Sequence, residues 1–294
     1  MIRVEQVSKS FGAVKAVQDV TLTVGQGDIF GLVGPDGAGK TTLLRIICGL
    51  IAPDAGKIFL MDRPPELIRE QFGYMPQKFS LYGDLTIMEN IHFFGSLYGI
   101  PPLIIQERAE EILSVTNLLP FKDRWAQNLS GGMKQKLALT CSLIRRPSIL
   151  VLDEPTYGVD PESRKEFWRI LYQLNQEGLT IILSTPYMDE AELCKRVGLI
   201  NEGVLSAMDS PHNLKKAFPH HILEVRAPIK DPGFFDQVTG IIDSSFFGYK
   251  YHLVVDNVEA TVLAVRQHAE NHMVSLHSIK EIKPSMEDVF VSLV

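Results

Sequence analysis

The sequence has few cysteines, no long apolar run and no excess of basic charge, and each absence excludes a class of protein. Among 294 residues there are three cysteines, Cys48, Cys141 and Cys194, and each lies in an apolar helical pattern. An odd number so placed indicates reduced core residues of a cytosolic protein rather than a disulfide framework or a metal site.

No apolar run approaches the 18 or more residues that a membrane-spanning helix needs. The start of the chain, Met1–Glu5, begins a strand pattern rather than a signal peptide. If the protein works at a membrane, we therefore expect another subunit to carry the spanning helices. The net charge of −6, without a cluster of Lys and Arg, argues against a nucleic-acid partner.

The composition is that of a globular protein, with 45% hydrophobic and 22% charged residues. The length favours a main domain with a smaller one, and strand and helix patterns alternate along most of the chain, which predicts an α/β fold. The predicted elements include strands at 13–17 and 20–24, a mainly helical region at about 79–146, and helices at 188–196 and 234–239.

One segment near the N-terminus has the pattern of a phosphate-binding loop. It follows the apolar strand Ile29–Val33, opens a helix, and reads Gly34, Pro35, Asp36, Gly37, Ala38, Gly39, Lys40, Thr41, Thr42. A strand that turns sharply into a helix directs unpaired N–H groups at one spot, where a polyphosphate can bind. We expect Lys40 to reach the β- and γ-phosphates of a nucleotide and Thr41 to ligate Mg²⁺. The alternative is a glycine-rich turn that happens to precede a lysine.

Three further stretches carry polar groups at the ends of predicted elements. The apolar strand 148–152 ends in Asp153 and Glu154, and burying unpaired carboxylates is costly, which favours a metal there. Asp153 suits a water bound to Mg²⁺, and Glu154 suits general-base chemistry on a γ-phosphate. Gln77 follows another short strand and can touch a metal-bound water. Ser130 precedes two glycines at the start of a helix, which is either a second anion site or an ordinary helix cap.

These features in this order resemble the ATP-binding subunits of ABC transporters. The resemblance rests on the P-loop, Gln77, a helical insert ending in Leu129-Ser-Gly-Gly-Met-Lys-Gln135, and Leu152-Asp-Glu-Pro155. It covers about residues 1–217 and predicts a P-loop NTPase core with an antiparallel β subdomain and a helical insert. Residues 284–290 look like the ABC-2-type exporter branch, and Gly34–Gly39 like the N-terminal half of its tandem members.

The resemblance also implies roles for individual residues. Two such domains, as a homodimer or with an unlike half, would enclose two ATP molecules, and Phe11 would stack on adenine. Each nucleotide would contact the P-loop, Gln77, Asp153 and Glu154 of one domain and Ser130, Gly131, Gly132 and Gln135 of the other. Asp160 would communicate across the dimer. An integral membrane permease would dock on the helical insert, which would hold this cytoplasmic chain at the inner face of the membrane.

One position departs from the family pattern. After the strand that ends at Thr185, the family usually has a histidine that contacts the γ-phosphate, whereas this chain has Pro186. Proline offers no polar side chain and no N–H, so we expect slow hydrolysis at this P-loop. The local alternative is that Thr185 caps a helix whose first residue is Pro186.

Two functions are alternatives to that of an exporter subunit. The first is a nearly inactive regulatory half, and the second is a soluble ABC protein that acts on ribosomes or in DNA repair. The acidic charge and the exporter-like residues 284–290 disfavour the second. The pattern of residues 218–294 predicts a small α+β domain, and its order of strands and helices suggests a split βαβ unit. The adjacent His220 and His221 point to opposite faces of a strand, which argues against a metal site there.

Overall fold

The computed structural model describes residues 2–78 and 80–293, except for the side chains of Glu66 and Arg69. The chain divides into two compact units, of which the first ends at Pro211 and the second runs from His212 to Leu293. Phe79, where the helical region was expected to begin, lies outside the described residues.

Strands and α-helices, numbered in chain order, make up most of the described residues. The strands are β1 (Ile2–Phe11), β2 (Val14–Val24), β3 (Ile29–Val33), β4 (Ala55–Leu60), β5 (Phe72–Met75), β6 (Ile149–Asp153), β7 (Thr180–Thr185), β8 (Arg196–Asn201), β9 (Val204–Asp209), β10 (His221–Arg226), β11 (Ile241–Phe246), β12 (Lys250–Val255) and β13 (Ser278–Ile282). The α-helices are α1 (Lys40–Ile47), α2 (Ile87–Leu97), α3 (Pro102–Val115), α4 (Gly131–Leu143), α5 (Pro161–Gln176), α6 (Met188–Ala191), α7 (Pro211–Ala217), α8 (Val258–Asn271) and α9 (Met286–Leu293).

The centre of the first unit is a six-stranded sheet in the order β5-β6-β7-β3-β8-β9. The first five of these strands are parallel, and β9 returns antiparallel to β8. Every residue of β3, β6 and β7 is buried, as expected for parallel strands covered on both faces. The predicted α/β class is therefore confirmed, and the parallel strands bring the loops after β3, β6 and β7 to one edge.

A three-stranded antiparallel sheet in the order β2-β1-β4 packs beside it in the same unit. The prediction of separate strands at 13–17 and 20–24 was wrong, because β2 is continuous through them. The chain absorbs the irregularity at Asp19, which has φ 48° and donates its N–H to the Ser8 hydroxyl at 2.9 Å. The register between β1 and β2 shifts on either side of this residue, as it does at a β-bulge.

The helical insert, α2 to α4, has its own apolar core, which includes Ile91, Leu113 and Leu137. Its first helix begins with a capping box, as the sequence predicts. The Thr86 hydroxyl accepts the Glu89 N–H at 3.1 Å, and the Thr86 N–H donates to Glu89 Oε2 at 2.7 Å.

The helix predicted at 188–196 is shorter than expected. It ends at Ala191, because the Lys195 N–H donates to the Ile29 carbonyl at 2.9 Å and Arg196 already pairs with Phe30 in the sheet. Pro186 is not its first residue, since the helix starts at Met188 with Tyr187 as its N-cap. The local explanation of Pro186 as a helix start was therefore wrong.

The second unit contains a four-stranded antiparallel sheet in the order β11-β12-β10-β13. One face carries an apolar core that includes Leu223, Tyr251 and Val265. The predicted helix at 234–239 is a series of turns, because Pro232-Gly233 and Gly240 leave too few residues between them for a helix. His220 pairs with Asp256 at 2.6 Å and His221 with Glu281 at 2.7 Å, so their rings have separate partners.

Cys48, Cys141 and Cys194 are buried and free, which confirms their assignment as reduced core residues. Burial raises the pKa of all three thiols. Within residues 2–78 and 80–293, no helix combines the length and apolar character needed to cross a membrane.

Candidate functional site

The loop Gly34–Gly39 connects β3 to α1 at the carboxyl edge of the main sheet. Gly37 and Gly39 have φ of 82° and 97°, which favour glycine. A Cβ at Gly34 would lie 2.0 Å from the Ile200 carbonyl oxygen, so no side chain fits there. Pro35 and Asp36 are exposed, Ala38 is buried, and Lys40, Thr41 and Thr42 form the first turn of α1. The strand, loop and helix therefore have the predicted arrangement.

Lys40 lies under this loop with 3% of its surface exposed. Its ammonium donates to the carbonyls of Gly34 and Pro35, both at 2.8 Å, and lies 3.1 Å from Glu154 Oε1. The carboxylate and the two carbonyls offset the cost of burying this cation. They also hold the ammonium at the loop to which a phosphate would bind.

Asp153 ends β6 directly beside the start of α1. Its Oδ1 accepts hydrogen bonds from the Thr41 hydroxyl at 3.0 Å and from the Ser184 hydroxyl at 2.7 Å. Its Oδ2 is buried and has no hydrogen-bond partner among the described residues. A buried carboxylate oxygen without a donor is costly, and oxygen ligands of this kind suit Mg²⁺. These residues therefore fit a magnesium ion at this point.

Glu154 follows with φ 48°, an uncommon backbone angle for a non-glycine residue and one that occurs at functional sites. Its N–H donates to the Ser184 hydroxyl at 2.9 Å, and its Oε2 accepts from Gln77 Nε2 at 2.7 Å. Its side chain is 5% exposed. The structure thus brings together Lys40, Gln77 and Glu154, which are far apart in the sequence.

A cavity of about 560 Å³ opens over the P-loop. It is bounded by the P-loop and α1, by the turn between β1 and β2, and by the tip of the β8–β9 hairpin. Its lining residues are Ala13, Val14, Lys15, Ala16, Gln18, Gly37, Gly39, Lys40, Thr41, Thr42, Glu154 and Glu202.

Three polar residues of this lining, Lys15, Gln18 and Glu202, carry no motif and were missed by the sequence analysis. Gln18 attaches the hairpin tip to β2: its N–H donates to the Gly203 carbonyl and its side-chain amide to the Glu202 carbonyl, both at 2.8 Å. Phe11 is 52% exposed at the end of β1 and pairs with Val14, which lines the cavity. The predicted adenine-stacking ring therefore lies beside the cavity rather than among its lining residues.

The remaining predicted residues lie elsewhere in the same unit. Ser130 caps α4 by accepting the Met133 N–H at 3.3 Å, and Asp160 caps α5 by accepting the Ser163 N–H at 2.9 Å. Gly131 and Gln135 line a second cavity, of about 660 Å³, together with Gln77. Within the described residues, neither cap lines the cavity over the P-loop.

The carboxylate of Asp160, at the start of α5, accepts a backbone N–H, and such a hydrogen bond lowers the pKa of a carboxyl group. The Ser163 N–H holds the pKa of Asp160 below its usual value, so this exposed side chain is ionised at neutral pH. Gly132 packs against Ser163, and a Cβ there would lie 2.5 Å from the Ser163 hydroxyl. The two capped helix starts are therefore in direct contact.

Comparison with known proteins identifies both units. Residues 17–157 match the family model described as ABC transporter, and residues 210–294 match that of the ATP-binding protein DrrA1-3-like, C-terminal domain. The chain is 39% identical to the probable multidrug ABC transporter ATP-binding protein YbhF of Escherichia coli (strain K12) over 95% of its own length. It spans about half, 49%, of that relative.

Two further similarities extend over most of the length of the related protein. The chain is 34% identical to the Nod factor export ATP-binding protein I of Bradyrhizobium diazoefficiens, over 98% of this chain and 94% of that protein. The dimeric post-hydrolysis structure of the ATP-binding cassette MJ0796 with ADP and Pi superposes with a TM-score of 0.65. It is 26% identical and covers 71% of this chain and 98% of the cassette. Together with the P-loop geometry, these likenesses show that the chain belongs to the family of ABC transporter ATP-binding proteins.

Proposed function

We propose that this chain binds Mg-ATP, closes on it with a second ABC ATPase domain, and thereby drives an integral-membrane exporter. The names of the Escherichia coli and Bradyrhizobium relatives, a multidrug transporter protein and an export protein, support the exporter branch. Residues 1–217 would be the ATP-binding domain, with the helical subdomain at about 79–146, and residues 218–294 an accessory domain. The protein would lie in the cytoplasm, attached through the permease to the inner face of the membrane.

The observation that carries this proposal is the convergence of Lys40, Thr41, Gln77, Asp153 and Glu154 on one edge of the sheet. The first-turn amides of α1 and the Lys40 ammonium would bind the β- and γ-phosphates. Phe11 would stack on adenine from the rim of the cavity. The cavity is large enough for a nucleotide and open to solvent along the P-loop.

Thr41, Asp153 and Gln77 would hold Mg²⁺, the latter two through bound water. When bound, the ion would supply positive charge that offsets the negative charge on the phosphate oxygens. Glu154 would accept the proton of the attacking water. Lys40 and Gln77 each bind one of its oxygens, which orients the carboxylate for this role.

The second domain explains the residues that lie away from this cavity. Ser130, Gly131, Gly132 and Gln135 would contact the ATP of the partner domain, and Asp160 would cross the dimer interface. The dimeric cassette with ADP and Pi supports such an arrangement, because its structure resembles that of this chain over 71% of this chain's length. The partner is either a second copy of this chain or an unlike half.

Pro186 lies where it would affect turnover. Thr185 pairs with Val33 in the sheet, and its carbonyl accepts the Gly34 N–H at 3.3 Å, so the next residue follows at the edge that carries the P-loop. A histidine there could donate to a γ-phosphate, whereas proline cannot. We therefore propose that this site binds ATP well and hydrolyses it slowly.

The test compares the purified chain with its Pro186→His and Glu154→Gln variants, measuring Mg-ATP affinity and phosphate release. We expect the wild type to bind Mg-ATP with weak turnover. Restoring one transition-state donor in Pro186→His should raise the rate on the order of 10²-fold. If the wild type hydrolyses ATP rapidly and Glu154→Gln abolishes this activity, the proposal of slow hydrolysis at this site is wrong.

Pro186 also favours a second candidate, a regulatory half that binds nucleotide but never turns it over. In that case Pro186→His would leave the rate unchanged while binding stayed intact.

A soluble role would show as a salt-sensitive association of the chain with ribosomes or DNA and no permease partner.

A further inference from the structure

Glu190 is a buried carboxylate in the ATP-binding unit to which the proposed chemistry gives no role. It is 1% exposed, in the single turn of α6. Its Oε1 accepts the Thr156 hydroxyl at 2.6 Å, and its Oε2 accepts the Thr185 hydroxyl at 2.6 Å. Each carboxylate oxygen therefore binds one threonine, and the side chain bridges the two.

The two threonines lie at or just after the carboxyl ends of β6 and β7, the strands that flank the expected γ-phosphate position. Thr156 follows Glu154-Pro155, and its carbonyl accepts the Val159 N–H at 3.2 Å in the turn that leads to Asp160. Thr185 ends β7 and immediately precedes Pro186. The bridge thus joins the loop after Glu154 to the turn that contains residue 186.

The turn at Pro186 depends on this bridge. Proline has no N–H to donate, and the turn is instead closed by the Tyr187 N–H, which donates to the Thr185 hydroxyl at 3.1 Å. That same hydroxyl donates to Glu190. Removing the carboxylate would therefore free the hydroxyl that fixes the backbone on both sides of Pro186.

A third element reaches the bridge from α5. The Arg164 Nε lies 3.9 Å from Glu190 Oε1 and has no hydrogen-bond partner among the described residues, while its guanidinium stacks 4.3 Å from the Tyr187 ring centroid. Burying a carboxylate costs several kcal/mol unless it is well paired, and an apolar side chain would fill the same space more cheaply. The two hydrogen bonds of Glu190, to threonines on separate segments, therefore indicate a role beyond filling space.

We propose that Glu190 is a positioning residue that makes the loop 154–160 and the turn 185–187 move as one body when ATP binds. This inference rests on the proposed ATP binding at Lys40 and goes beyond it, since it assigns the coupling to one side chain. The Glu190 carboxylate accepts hydrogen bonds from Thr156 and Thr185, neither of which is expected to bind the phosphates or the attacking water. It acts through Thr156 on the loop that carries Glu154, and through Thr185 on the turn at residue 186.

The experiment measures hydrogen–deuterium exchange of the full chain with and without Mg-ATP. We expect the nucleotide to slow exchange in peptides covering 34–42, 154–160 and 185–190 of the wild type. In Glu190→Gln, protection of 34–42 should persist while the other two peptides lose most of theirs. A hydrogen bond of about 1 kcal/mol corresponds to roughly a 5-fold change in local exchange.

Matched variants separate the bridge from folding. Thr156→Val and Thr185→Val keep the shape and lose the hydroxyl, so each should behave like Glu190→Gln, whereas Thr156→Ser and Thr185→Ser keep the hydroxyl and should behave like the wild type. Thr116→Val, at the end of α3, removes another fully buried threonine hydroxyl and serves as the control. The valine variants should lower kcat on the order of 10- to 100-fold, with the Kd of Mg-ATP nearly unchanged.

The outcomes distinguish the two proposals. If Glu190→Gln and the valine variants keep wild-type protection in all three peptides, the positioning role is wrong and ATP binding stands. If Mg-ATP protects 34–42 in no variant, including the wild type, the proposed function fails and this inference falls with it. A stability loss in Thr156→Ser as large as in Thr156→Val would likewise contradict a role for the hydroxyl.

Discussion

The Lys40 ammonium lies 3.1 Å from Glu154 Oε1, with 3% and 5% of the two side chains exposed. The cation expected to bind the γ-phosphate is therefore already paired with the carboxylate expected to act as the base. A nucleotide that reaches Lys40 competes with Glu154 for the same ammonium, and its phosphates approach a buried negative charge. This relationship links binding and turnover in one pair of residues.

Glu154→Gln should therefore tighten Mg-ATP binding while it stops hydrolysis. The amide keeps the size of the side chain and removes the charge that competes for Lys40 and repels the phosphates. We expect the Kd of Mg-ATP to fall about 10-fold, which corresponds to ~1.4 kcal/mol. Isothermal titration calorimetry measures it, with Glu162→Gln on the surface of α5 as the control. Weaker binding by Glu154→Gln would mean that the pair does not oppose the nucleotide.

Much of the site follows from local sequence. An apolar strand, a glycine-rich loop and a helix start are contiguous, so their geometry at Lys40 is set by residues within one short segment. The capping box at Thr86 and Glu89 is equally local. Asp153 is recognisable because an acidic residue at the end of a fully buried strand needs a partner.

Contacts between strands that lie far apart in the sequence could not be predicted from local patterns. Ser184 binds both Asp153 Oδ1 and the Glu154 N–H, yet it reads as an ordinary strand residue, and its one signal is a hydroxyl in a buried apolar run. Its importance depends on β7 lying next to β6 with Asp153 opposite Ser184. The early end of α6 also depends on a tertiary contact, because the Lys195 N–H donates to the Ile29 carbonyl of β3.

Phe11→Ala should weaken binding of ATP and leave binding of inorganic tripolyphosphate unchanged. The ring is 52% exposed, so its loss hardly affects folding, and stacking on a base is worth about 1–3 kcal/mol. Competition titrations with the two ligands measure the difference, and Phe11→Tyr, which keeps a stacking ring, is the matched control. Equal losses for both ligands would place Phe11 at the phosphates or in the fold instead of at the base.

Asp288→Asn should remove an acid-sensitive contribution to the stability of the second unit. Burial by itself would raise the pKa of Asp288, but hydrogen bonds from His252 and from Ser285 outweigh it and hold the pKa below its usual value. A carboxylate with a lowered pKa stabilises the fold above its unfolded pKa of about 3.9, and this contribution disappears as the pH falls through the lower folded value.

We therefore expect wild-type unfolding of this unit to become easier below about pH 4, and Asp288→Asn to be less stable by ~2 kcal/mol at pH 7 with a flatter acid profile. Thermal denaturation followed from pH 7 to pH 3 measures both. The exposed Asp243→Asn, on β11, is the control. Parallel acid profiles for Asp288→Asn and the wild type would contradict the assignment.

Gly132→Ala should destabilise the first unit, whereas Gly131→Ala one residue earlier should not. A Cβ at Gly132 would lie 2.5 Å from the Ser163 hydroxyl and 2.6 Å from its Cβ, while a Cβ at Gly131 meets nothing within 4 Å. Forcing α4 away from α5 should cost about 1–3 kcal/mol, measured by urea denaturation, against a change within ~0.5 kcal/mol for Gly131→Ala. Ser163→Gly removes both clashing atoms and keeps the N–H that caps α5 at Asp160, so it should restore most of the loss in the double variant. If Gly132→Ala is as stable as Gly131→Ala, the starts of α4 and α5 are not in close contact at Gly132 and Ser163.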